Sequence, residues 1–195
     1  MEADWEVEVG AGAPVIDALW PGFADLRLAP ERASALPEAA DLPALADALV
    51  ALNAPASPVW TAKCDLWPVD AFDPDELDAP REDGLRAIAC YIDLLPGAGL
   101  HWREPEEAVN WCRSICGRIR AIPLRCSRVD LVVRSASVAP EKLEYGVTAY
   151  LTAAGADLAV ASQVLSAALA AFADTVCPSL LPIHGDQSYN EDVGE

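Results

Sequence analysis

One pattern constrains this chain more than any other: strand–strand–helix, run twice between Pro58 and Cys177. The first pass reads as a strand over Val59–Val69, a strand over Leu85–Leu95 and a helix from about Pro105 to Ile122. The second reads as strands over Arg128–Val138 and Tyr145–Ala153, then a helix from about Asp157 to Cys177. Each strand alternates an aliphatic side with a mixed polar and aromatic side, as in an antiparallel sheet covered by helices on one face. Val129, Leu131 and Val133 stand against Asp130, Val132 and Arg134, and Val147, Ala149 and Leu151 against Thr148, Tyr150 and Thr152. In the first strand the same reading groups Trp60, Ala62, Cys64 and Leu66, opposite Thr61, Lys63, Asp65 and Trp67. The expected fold is therefore α+β: a mainly antiparallel sheet of four or more strands built from a tandem ββα repeat, with two long helices on one face.

The flanks are appendages to that core. Residues 1–57 are too poor in large apolar side chains to fold alone. They are expected to pack on the core through short strands near Trp5–Val9 and Phe23–Leu28 and a helix over Leu42–Asn53. Residues 58–178 form the tandem core, and residues 179–195 read as a mobile acidic tail.

Charge narrows the function classes. Thirty-one acidic residues against 13 basic ones give a net charge of −18, which repels nucleic-acid backbones and anionic membranes. Neither is expected as a partner. The charge is also segregated. Eight acidic residues lie between Asp65 and Asp83, and seven arginines between Arg103 and Arg134, an arrangement suited to pairing within or between subunits.

The acidic start MEADWEVEVG has no basic, apolar leader pattern, and the Ala-rich stretch Leu158–Val176 is interrupted by Ser162, Gln163, Ser166 and Asp174. A cytoplasmic protein with six reduced cysteines is expected.

No catalytic motif stands out. Cys112 and Cys116 share a helical face near Cys126, but a tight C-x2-C turn and a fourth ligand are missing, so core thiols are the better reading. Cys126, between Arg125 and Arg128, has the only surroundings suited to a reactive thiol, with His101 as the nearest histidine. The run AFDPDELDAPRED lacks the ligand spacing of a calcium loop. No metal and no cofactor are expected.

What remains is the side of the sheet that the helices leave over. It carries Lys63, Asp65, Trp67, Tyr91, Asp93, Arg134 and Tyr150, aromatic bodies beside charges that suit a ligand pocket or a protein interface. The loop Gly97–Glu107 groups His101, Trp102 and Arg103. The preferred reading is a non-enzymatic interaction module, homodimeric, for a protein partner or small ligand. One alternative is a ligand sensor or enzyme with a pocket around His101, Tyr91 and Tyr150. Another is an acidic inhibitor or immunity-type protein.

Overall fold

The computed structural model describes residues 1–18, 20–97, 99–139 and 142–178. Its elements follow in the order β1 (Glu2–Glu8), β2 (Val15–Asp17), α1 (Pro37–Asp41), α2 (Pro43–Leu52), β3 (Val59–Val69), β4 (Arg86–Pro96), α3 (Pro105–Ile119), β5 (Ser127–Ala139), β6 (Lys142–Gly155) and α4 (Leu158–Val176). The residues expected to form the acidic tail lie outside the described ones.

Local chemistry sets the element ends. Proline opens α1, α2 and α3, where the missing amide hydrogen costs nothing. Asp157 caps α4 by accepting from the Val160 amide at 2.8 Å. At the start of α3 the Glu107 carboxylate accepts from the amides of Arg103 and Glu104, which holds it below the usual carboxylate range.

Six strands form one open, mostly antiparallel sheet in the order β1-β5-β6-β4-β3, with β2 prolonging the β1 edge along β5. β1 and β2 run parallel to β5, and every other pairing is antiparallel. Pro68 lies in β3, an edge strand, where a missing ladder donor is tolerated.

The main core joins one side of the sheet to the helices. Cys90, Ile92 and Leu94 of β4, Val129, Leu131 and Val133 of β5, and Val147, Ala149 and Leu151 of β6 pack with Ile115 and Ile119 of α3. The same cluster takes in Leu165, Leu169 and Phe172 of α4 and Leu45, Leu49 and Leu52 of α2. The N-terminal helix α2 thus belongs to the helix side of the sheet. Among the described residues α4 is the one helix long and apolar enough to cross a membrane, with a mean hydropathy of 1.5. Its Ala161, Leu165, Ala168, Leu169 and Phe172 are fully buried in the protein.

Two sequence expectations are corrected. Phe23–Leu28 is not a strand, and the short second strand is Val15–Asp17 instead. The Asp25 carbonyl accepts from the amides of Leu28 and Ala29, and its carboxylate binds Arg27, so the segment coils into turns. The strict alternation of β3 also breaks, because its pairing with β4 shifts between Thr61 and Cys64.

That shift is a β-bulge, and it moves side chains from one face to the other. Trp60 and Ala62 belong to a second cluster on the face away from the helices, while Cys64 and Leu66 pack in the helix-side core. Backbone groups freed by the bulge find side-chain partners. The Thr61 amide donates to Asn53 Oδ1 at 3.0 Å, and Trp20 Nε1 donates to the Ala62 carbonyl at 3.1 Å.

Candidate functional site

The side of the sheet opposite the helices is a floor between two walls. Across the strands its outward residues fall into rows. One row runs Asp4, Asp130, Tyr150, Tyr91, Asp65; the next runs Glu6, Val132, Thr148, Asp93. A third runs Glu2, Arg128, Thr152, Ala89, Trp67. Glu8 and Arg134 pair in a fourth, beside Gly146.

Both walls stand on apolar feet. At one end Ile16, Ala18 and Phe23 pack on Trp60, Leu95 and Ala136. Gly146 makes room for this wall: a Cβ there would lie 2.7 Å from Ile16 Cδ1 and 3.0 Å from the Leu94 carbonyl oxygen. At the other end Phe72, Leu77, Ala79 and Leu85 pack on Val69, Ala87 and Ala154. The acidic loop lies in this second wall, and Arg125 of the arginine-rich stretch pairs with its Asp78 at 2.8 Å.

A chain of hydrogen bonds crosses four strands of the floor. Arg134 donates through Nε and Nη2 to Glu8 Oε2 at 3.0 and 2.6 Å. Its Nη1 donates to Thr148 Oγ1 at 3.2 Å and to the Tyr150 hydroxyl at 3.1 Å. Thr148 in turn donates to Asp93 Oδ1 at 2.6 Å. Thr148 and Asp93 are buried, 1% and 7% exposed. Burial raises the Asp93 carboxyl above the usual carboxylate range, and the Thr148 hydroxyl, Arg134 and Lys63 offset part of that rise.

Beside this chain runs an aromatic row. The rings of Trp67 and Tyr91 have centroids 6.2 Å apart, and those of Tyr91 and Tyr150 6.0 Å. All three rings are half-buried, so part of each meets solvent. Burial, with Asp93 and Asp65 near, pushes the Tyr91 phenol up to about 12, so it is a neutral donor at any physiological pH. At the β1 end of the floor a polar hollow of about 200 Å³ is lined by Asp4, Glu6, Glu76, Arg128 and Asp130. Arg128 there pairs with Asp130 at 2.7 Å.

Asp65, Trp67, Tyr91, Asp93, Arg134 and Tyr150 all meet on this floor. Lys63 sits in the bulge instead, its ammonium 5.1 Å from the centre of the Trp20 ring, beside a cavity of about 290 Å³ at the β3 edge. Thr61 turns to the helix side and bonds Asn53.

The His101 loop lies elsewhere. Trp102 is buried in the helix-side core against Trp111, with centroids 5.1 Å apart, and its carbonyl accepts from the Tyr145 amide. His101 and Arg103 are exposed beside it. They do not share a surface with Tyr91 and Tyr150, whose rings face away from the helices. Sequence reasoning missed Glu8 as a partner of Arg134. The signal was present in the acidic residues at alternate positions, Glu2, Asp4, Glu6 and Glu8, of a strand that pairs with an arginine-bearing one.

Cys64, Cys90, Cys112 and Cys116 are packing groups. Burial pushes the thiol of Cys64 up to about 12 and that of Cys116 to about 11, and raises those of Cys90 and Cys112 further. Among the described residues no group of three or more His, Cys, Asp or Glu side chains is placed to hold a metal. Comparison with family models, with curated proteins and with solved structures gives no match for this chain.

Proposed function

We propose that this protein is a non-enzymatic binding module whose recognition surface is the walled floor of the sheet, and that its partner is another protein. One observation carries the reading. Asp93 is held in a buried site by Thr148, which Arg134 holds in turn, next to a half-exposed row of aromatic rings. A buried carboxylate costs stability, and apolar residues of similar size would give a sounder floor. Aromatic rings beside a fixed polar network are what an interface core uses to anchor a partner.

The same groups make poor catalysts. Arg134 is engaged on three sides, Tyr91 stays protonated, and the floor carries neither histidine nor cysteine. Six free thiols fit a reducing, cytoplasmic setting.

We read the core as a tandem ββα repeat: β3-β4-α3 and β5-β6-α4, joined along β4 and β6 with both helices on one face. In that arrangement the face left uncovered is a direct product of the architecture.

Native mass spectrometry of the protein isolated from its own cells tests the proposal. The expected spectrum holds a complex with a second protein or a second copy. That complex disappears in Trp67→Asp and Tyr150→Asp and persists in Val160→Asp on the outer side of α4. A bound small molecule in place of a protein, or a complex lost only in Val160→Asp, would overturn the reading.

A further inference from the structure

We infer that the group recognised on this floor is cationic: a lysine or arginine side chain from a basic segment of the partner, laid across Trp67 and Tyr91. This rests on the proposed role of the floor and names what the floor selects. Charge is the first argument. The floor rows carry seven carboxylates and two arginines, and both arginines are already engaged, Arg134 by Glu8 and Arg128 by Asp130. Lys63 lies over the Trp20 ring, at the β3 edge. Asp4 has Arg120 and Arg128 at 3.6 and 3.9 Å, which leaves Glu2, Glu6, Asp65 and Asp93 as the floor carboxylates with no ion pair among the described residues.

Placement is the second argument. Asp65 faces Tyr91 directly across the β3–β4 ladder, and Trp67 lies two residues further along the same face. Side chains directly opposite in a sheet have Cβ atoms about 5 Å apart. A carboxylate thus neighbours two aromatic rings, the combination that attracts a cation. Asp93 follows Tyr91 by two residues on the same side, so the tyrosine ring has a carboxylate on either flank.

Neutral or anionic partners fit worse. An acidic segment meets like charge in every row, and a purely apolar one brings no counter-charge to Asp65 and Asp93.

The test is a titration of the full chain with a Gly-Lys repeat peptide, followed by amide NMR shifts. A Gly-Glu repeat serves as counterpart. The expected result is saturable shifts centred on Asp65, Trp67, Tyr91 and Asp93, with no response to the Gly-Glu peptide. Affinity should fall roughly tenfold as ionic strength rises from about 0.01 M to about 0.15 M, where the Debye length shrinks from about 30 to about 8 Å. Asp65→Asn and Trp67→Leu should each weaken binding by about fivefold, the scale of one exposed cation–ring or ion-pair contact.

Shifts confined to the acidic loop at 70–83, or equal binding of both peptides, would overturn the inference. If the lysine peptide fails while the native complex is still lost in Trp67→Asp, the cation inference falls and the binding role stands. If that complex is also indifferent to Trp67→Asp, both fall.

Discussion

Replacing Arg134 by methionine removes the centre of the polar chain while keeping the length of the side chain. The Arg134 side chain is 15% exposed and that of its partner Glu8 43%. Water screens the Glu8 half, so its loss is worth about 0.5–1 kcal/mol. The other half is buried, where losing charged hydrogen bonds to Thr148 and Tyr150 costs about 1.5–2 kcal/mol. Together they give about 2–3 kcal/mol, which lowers the melting temperature of a domain this size by about 4–12 °C.

The deficit must also depend on pH. Without Arg134 the buried Asp93 carboxyl rises further above its unfolded value. Such a group favours the folded state while protonated and loses that advantage as pH rises through its folded pKa. The gap between wild type and variant should therefore be wide at pH 8 and narrow towards pH 4. Thermal unfolding followed by circular dichroism across that range reads both quantities. A variant within about 0.5 kcal/mol of wild type, the usual range for an ordinary surface change, would refute the reasoning. So would a gap that widens on acidification.

Three further outcomes are expected. Asp93→Asn keeps an acceptor for Thr148 and removes the buried charge, so it should raise the melting temperature at pH 7 and lose that advantage as pH falls. A less stable variant at pH 7 would contradict the burial argument. Asn53→Ala leaves the Thr61 amide without its acceptor at the bulge, and chemical denaturation should show a loss of about 1–3 kcal/mol. An unchanged midpoint would mean that the bulge does not need Asn53. Gly146→Ala drives a methyl against Ile16 and the Leu94 carbonyl and should cost about 1–3 kcal/mol by overpacking. Adding Ile16→Ala should recover part of that loss, and no recovery would place the strain at the Leu94 backbone alone.

Much of this was legible from periodicity. The bounds expected for β3 match the observed strand, and the aliphatic sides expected for β5 and β6 face the helix-side core, because long alternating runs leave little choice of face. Sequence failed where one residue changes the phase. Nothing in TAKC marks the bulge, whose backbone groups are met by side chains from outside the strand, Asn53 and Trp20. Parallel pairing of β1 with β5 was equally hidden, as pairing across more than a hundred residues leaves no local trace. With it went the match of Glu8 to Arg134, although the alternating acids of β1 mark a face suited to a cation-bearing neighbour. Trp102 grouped with His101 on paper because they are neighbours in sequence, yet burial sends the ring into the helix-side core and leaves the histidine outside.

The central claim is that partners are held on the walled floor, and in-cell photo-crosslinking measures it most directly. A photoreactive phenylalanine derivative replaces Thr152, which stands in the same row as Trp67, and a second protein carries it at Val160 on α4. The account predicts one dominant protein adduct from position 152, lost when Trp67→Asp is added, and none of that mass from position 160. The same adduct from position 160, or an adduct from 152 indifferent to Trp67→Asp, would contradict it.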